Sequence, residues 1–181
     1  MLQQARQITG ITLNDLYELY PDFDIDIKRE QGLLLRHDII IFQHPLYWYS
    51  GPALVKQWLD LVLEHGWAYG SKGDKLKGKF LMNAITCGGS QQSYRAEGRN
   101  RYPIDQMLLP VKQTANLCQM DYLPPFVVFG THRLQEPDIE QYALQYGQVL
   151  SALHHDRVQR SEWEAVQLMN DLCPIPEKLK S

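Results

Sequence analysis

The sequence predicts an α/β protein in three layers, with one parallel sheet covered by helices on both faces. Three observations predict it. Residues 38–42 (DIIIF) form an apolar, β-branched run without alternation, the pattern of a strand covered on both sides. Two more short apolar runs follow at wide intervals, 79–86 (KFLMNAIT) and 126–129 (FVVF). Between them lie stretches whose apolar residues recur at helical spacing. Repeated βα units of this kind build a parallel sheet with crossover helices. The 181 residues suit one domain.

The elements follow in order. Leu2, Ala5 and Ile8 share one face of a helix over 2–9, and Gly10 suits the left-handed residue past its end. Residues 11–13 (ITL) are a short extended candidate. The aromatic, acidic stretch 14–26 reads as an ordered loop punctuated by Pro21, and Asp26 is placed to cap a helix over 27–36. After the 38–42 strand, residues 52–65 carry a buried stripe of Leu54, Val55, Trp58, Leu59, Val62 and Leu63. Pro52 suits the first turn of that helix and Gly66 follows its end. Residues 103–119 read as a helix that Pro110 kinks or divides. A last core helix spans 136–153, with His154 and His155 at its end, where positive charge is favoured. Residues 156–181 hold an amphipathic segment around Trp163, Val166, Leu168 and Met169, then a Pro- and Lys-rich end. They read as an appendage that packs on the domain or on a partner.

Composition excludes several function classes. Eighteen basic and 21 acidic side chains give a net charge of −3, so no basic face for nucleic acid is expected. No run reaches the roughly 18–20 apolar residues of a membrane-spanning helix, and MLQQARQITG has no hydrophobic signal core. The expected location is therefore cytoplasmic. Cys87, Cys118 and Cys173 are widely spaced with no CxxC, which points to free thiols and no metal site.

Two segments carry chemistry. The first, 43–50 (QHPLYWYS), directly follows the 38–42 strand, where open α/β sheets bind ligands. Tyr47, Trp48 and Tyr49 offer flat apolar faces and backbone amides that can hold a planar ring, or they cap the core or form a dimer contact. The second, 86–94 (TCGGSQQSY), ends the next strand. Its paired glycines permit close approach of a ligand to the backbone, though an ordinary loop also accounts for them. Together the two segments would face one cleft.

At these residues the chain resembles a known family. The stretches 16–31, 38–70, 73–80, 86–94, 100–110 and 120–126 are similar to flavodoxin-like NAD(P)H:quinone oxidoreductases of the DT-diaphorase type. Within that type they resemble the ancillary subunits of bacterial glutathione-gated potassium-efflux systems. The resemblance covers about residues 1–150, and PLYWYS and GWAYG are its most specific motifs. It implies FMN as cofactor and hydride transfer from NADH or NADPH to a quinone by a ping-pong route. It also implies a homodimer with active sites at the interface, docked on the cytoplasmic face of a potassium/proton antiporter and so peripheral to the inner membrane. By motif, Leu46, Tyr47, Trp48 and Tyr49 would flank the isoalloxazine. Thr86, Cys87, Gly88 and Gly89 would meet its polar edge, and Tyr94 would lie near flavin and quinone as the catalytic residue. Family members usually carry Thr where Cys87 stands, and a thiol is the weaker donor. His44 as proton donor and Arg95, Arg99 and Arg101 as dinucleotide contacts are weaker candidates.

The resemblance also sets two further expectations. Family members open with an apolar strand and a loop that holds the FMN phosphate at a helix N-terminus. Met1 matches a position inside the first helix. Residues 1–155 thus read as a flavodoxin-like domain lacking its first strand and phosphate loop, either through a start assigned too far downstream or as a shortened form. Such a chain is expected to hold little FMN. Three functions follow: an FMN-dependent quinone reductase, a non-catalytic regulatory subunit of the antiporter, or an azoreductase- or modulator-type electron-transfer protein.

Overall fold

The computed structural model describes residues 1–155 and 159–173. The chain runs α1 (Leu2–Arg6), α2 (Leu16–Leu19), α3 (Ile27–Arg36), β1 (Ile39–Pro45), α4 (Ala53–Val62) and β2 (Phe80–Thr86). It continues with α5 (Ile104–Met107), α6 (Leu109–Leu117), β3 (Asp121–Tyr122), β4 (Phe126–Val128), α7 (Glu136–His154) and α8 (Arg160–Glu164). The expected α/β alternation is present.

Strand β2 is the centre of the sheet. It pairs in parallel with β1, from Ile39 opposite Phe80 to Pro45 opposite Thr86. On its other side it pairs with β3 and then β4, which Leu123, Pro124 and Pro125 separate. Its side chains alternate between the layers. Leu81 joins the cluster built by Leu34 of α3, Leu54, Trp58 and Val62 of α4, and Ala115 of α6. Met82 and Ala84 join Ala5 of α1 and Tyr146, Val149 and Leu150 of α7. That is the three-layer arrangement the sequence predicts.

Local chemistry explains the element ends. The Asp26 carboxylate accepts from the Arg29 amide at 2.9 Å and caps α3, as expected. Pro52 precedes α4. The predicted helix over 103–119 divides at Leu108, because Pro110 has no amide to continue the ladder of α5 and instead suits the first turn of α6.

Three expectations need correction. Residues 11–13 form no strand; the Thr12 hydroxyl instead lies 2.8 Å from His37 Nε2. Ile39, Ile40 and Ile41 are half-buried, not covered on both faces, because β1 is the outermost strand among the described residues. The stretch read as loop over 14–26 holds the short helix α2, which Asp15 caps by accepting from the Tyr17 and Glu18 amides.

The predicted appendage is part of the packed body over 159–173. Trp163 sets its ring edge-on to Phe80, and Met169 is fully buried. Residues 156–158 and the Pro- and Lys-rich end, 174–181, lie outside the described residues.

A buried carboxylate ties α3 to α4. Glu30 accepts from Tyr20 Oη (2.7 Å), Asn14 Nδ2 (2.7 Å) and Trp58 Nε1 (2.8 Å), and pairs with Arg29. Four donors replace the water lost on burial.

Candidate functional site

The site is built at the C-terminal ends of β1 and β2. The Leu46 amide donates to the Thr86 carbonyl at 2.8 Å, one step beyond the paired strands. The aromatic segment and the diglycine segment therefore leave the sheet as neighbours. The sequence places the two segments at successive strand ends, and there they leave the sheet side by side.

Residues 47–50 form a tight turn. Tyr47 and Ser50 exchange both backbone hydrogen bonds at 2.9 Å. Trp48 and Tyr49 take positive φ values of 49° and 62°. Such turns favour Asn and Gly, and a bulky residue in this region costs roughly 1–3 kcal/mol. In return, the turn presents its rings outward: Trp48 is 94% exposed, Tyr47 60% and Tyr49 56%. No group among the described residues takes up the amides of Trp48 and Tyr49.

The second turn is clasped from the side. Cys87 donates its amide to Val128 (2.9 Å) and accepts from the Thr131 amide (3.1 Å), while Gly89 accepts from the Gly130 amide (2.9 Å). Both glycines are closely approached by side chains. A Cβ on Gly88 would stand 2.6 Å from His132 Nε2, and one on Gly89 would stand 3.0 Å from the Tyr94 ring. Thr86 is half-buried at the strand end, and Cys87 is buried.

Tyr94 links the two turns. A single 3-10 turn, 91–94, brings it back over the glycines, where its ring packs beside Gly89 and its hydroxyl lies within electrostatic reach of the Cys87 thiol. Its ring lies 5.9 Å from that of Phe129, and Tyr49 is near enough to act on it electrostatically. Burial raises the Cys87 thiol to about 11, with Tyr94 and the Gly130 backbone opposing. Burial and the neighbouring Cys87 raise Tyr94 to about 12. Both groups hold their protons at neutral pH.

His44 is not at the surface of the site. It is buried, and desolvation lowers its pKa, so the ring is neutral. Its Nδ1–H donates to the Pro45 carbonyl (2.9 Å), which leaves Nε2 to accept from the Asn83 amide (3.0 Å). Asn83 in turn accepts from Tyr122 Oη at 2.8 Å. This chain fixes the root of the aromatic turn and leaves no free proton for a ligand.

Sequence reasoning missed His132, Asn83 and Tyr122. Asn83 comes from the body of β2, Tyr122 from β3 and His132 from the loop after β4, and no local spacing marks them. Arg95, Arg99 and Arg101 sit in the irregular segment after the 3-10 turn.

Chemically, the arrangement offers exposed aromatic faces, unpaired amides and a protonated phenol. Neither segment 46–50 nor 86–94 contains a carboxylate, lysine or arginine. No cluster of His, Cys, Asp and Glu among the described residues is arranged to hold a metal, and no described helix is long and apolar enough to cross a membrane.

A parallel sheet of wound βα units, with two loops converging beyond its carboxyl edge, defines a flavodoxin-like protein. Comparison with known proteins places the chain more narrowly. Residues 1–150 match the Flavodoxin_2 family, described as having a flavodoxin-like fold, and the chain belongs to that family. A Pectobacterium atrosepticum relative, named glutathione-regulated potassium-efflux system ancillary protein KefG, is 47% identical over 152 residues (84% of this chain and 83% of the relative). General stress protein 14 of Treponema denticola, solved in complex with FMN, is 41% identical with a TM-score of 0.80, over 84% of this chain and 87% of that one. An NADPH-quinone reductase from P. pentosaceus is 30% identical with a TM-score of 0.66, over 74% and 84%.

Proposed function

We propose that the chain is an FMN-dependent NAD(P)H:quinone oxidoreductase that serves as an ancillary subunit of a glutathione-gated potassium-efflux antiporter. The observation that carries this reading is the meeting of the two turns, fixed by the bond from Leu46 to Thr86. The names of the relatives support the rest: a potassium-efflux ancillary protein, an FMN complex and a quinone reductase.

The residues present fit a flavin ring. Exposed apolar rings at 47–49 suit a planar face, and the unpaired amides of Trp48 and Tyr49 suit its polar edge. Leu46, Tyr47, Trp48 and Tyr49 would hold one side of the ring and Thr86, Cys87, Gly88 and Gly89 the other. Bound FMN would supply two-electron hydride transfer from NADH or NADPH to a quinone, chemistry that belongs to the cofactor.

The side chains have a narrower part. Gly88 and Gly89 allow the backbone to approach the ligand. The Cys87 thiol lies with its sulfur 3.5 Å from the Val128 carbonyl and 3.9 Å from that of Gly89, which makes it a poor donor to anything else. Tyr94, set beside Cys87 and Gly89, would offer a protonated hydroxyl to the quinone oxygen. The wide exposure of the aromatic turn suits cover by a second copy, so the active unit is a homodimer.

The test is a titration of the purified chain with FMN, followed by NAD(P)H-dependent quinone turnover and co-purification with the antiporter. Flavin binding with turnover supports the reading. Antiporter activation without flavin binding would favour a purely regulatory subunit. Neither effect would remove both readings.

A further inference from the structure

The segment 159–173 lies beyond the family-matched residues, yet it reaches the candidate site. Its centre is Asn170. The Asn170 side chain accepts from the Val127 amide at 2.9 Å and donates to the Val127 carbonyl at 3.1 Å. One side-chain amide thus takes both backbone groups of one strand residue, as a neighbouring strand would. The pairing is the expected one. The Val128 carbonyl points toward β2 and accepts from Cys87, so alternation along the strand turns the groups of Val127 outward.

Asn170 is itself locked. Its Nδ2 also donates to Gln145 Oε1 (3.2 Å), while buried Gln145 donates to the carbonyls of Asn170 and Cys173, both at 2.9 Å. Next to it, Met169 donates its amide to Pro125 (3.0 Å), and Leu168 packs on the cluster of Ile85, Cys87 and Val127. The path to the site is short. Asn170 holds Val127, the next residue accepts from Cys87, and the following loop clasps Cys87 and Gly89.

We infer that Asn170 is a positioning residue for the diglycine turn, anchoring β4 so that the Cys87–Gly89 backbone is held in its ligand-facing shape. The ligand-binding part of this inference rests on the flavin reading above.

The experiment compares Asn170→Ala and Asn170→Asp with Trp163→Ala in the full chain. Trp163 packs the same segment against Phe80, at the other end of the sheet. The readouts are amide hydrogen exchange at Cys87 and Thr131, the rate of Cys87 alkylation, FMN affinity and melting temperature. Asn170→Ala is expected to speed exchange and alkylation about tenfold, the scale of one or two lost hydrogen bonds. Asn170→Asp keeps the acceptor and loses the donor, so it should fall between wild type and alanine. Trp163→Ala should lower the melting temperature without changing exchange or alkylation at the turn. FMN affinity should follow the exchange rates. If Asn170→Ala lowers the melting temperature but leaves Cys87 and Thr131 unchanged relative to Trp163→Ala, the inference is overturned. If the wild-type chain binds no FMN, the flavin reading fails, while exchange and alkylation still decide the role of Asn170. Should Asn170→Ala not fold, the aspartate variant decides by the same readouts.

Discussion

The Leu46 amide and the Thr86 carbonyl stand 2.8 Å apart, and that bond sets two turns from different βα units side by side. Replacing Leu46 with Pro deletes the donor and leaves the Thr86 carbonyl unpaired. The expected loss is about 1–3 kcal/mol. At this chain length each kcal/mol corresponds to roughly 2–4 °C in Tm. Calorimetry checks the stability change, and FMN affinity should fall with it if the turns act together.

The left-handed conformations of Trp48 and Tyr49 oppose stability, and their exposure gives little packing in return. A Trp48→Asn, Tyr49→Gly double variant suits the same turn with less strain. It should be more stable by about 1–2 kcal/mol and bind FMN more weakly, the exchange expected when strain is kept for function. Paired melting and flavin titrations check both signs. A variant that gains stability and keeps full affinity would deny the rings a role.

Much of this was legible in the sequence. The DIIIF run, the helix over 52–65 and the two turn motifs are local patterns, and they led directly to β1, α4 and the site. The errors lay where tertiary context decides. Residues 11–13 have strand-like composition but no pairing partner, so they stay irregular. The isoleucines of β1 read as fully covered, yet an outermost strand leaves them half-buried. His44, only a weak candidate for proton donor, is a buried brace for the loop, because Asn83 occupies its second nitrogen. Asn170 was invisible, since its partner Val127 lies 43 residues away.

Burial raises Cys87 from its ordinary value of 9.0 to about 11 and Tyr94 from 10.0 to about 12. The folded chain therefore binds these protons more tightly than the unfolded chain. Their contribution to stability is fully present below pH 9 and is lost as pH rises through about 11 and 12. Denaturant unfolding across pH 8–12 should show this decline. In Cys87→Ser the Tyr94 titration should move back toward its ordinary value, since Cys87 is one cause of its shift.

Glu30 offers a control remote from the site. Glu30→Ala strands the Tyr20, Asn14 and Trp58 donors and the Arg29 charge. Removing one partner of such a buried network costs about 3–5 kcal/mol. Melting curves should show that loss, and any variant that folds should keep the wild-type affinity for FMN.

The most direct measurement is titration of the purified chain with FMN, read by flavin fluorescence and by NAD(P)H-dependent reduction of a quinone, beside a Gly88→Val variant that fills the backbone approach. The account predicts weak but saturable binding, read as quenching, with turnover in the wild type and loss of both in the variant. Free flavin fluorescence throughout, or binding and turnover untouched by the valine, would contradict it.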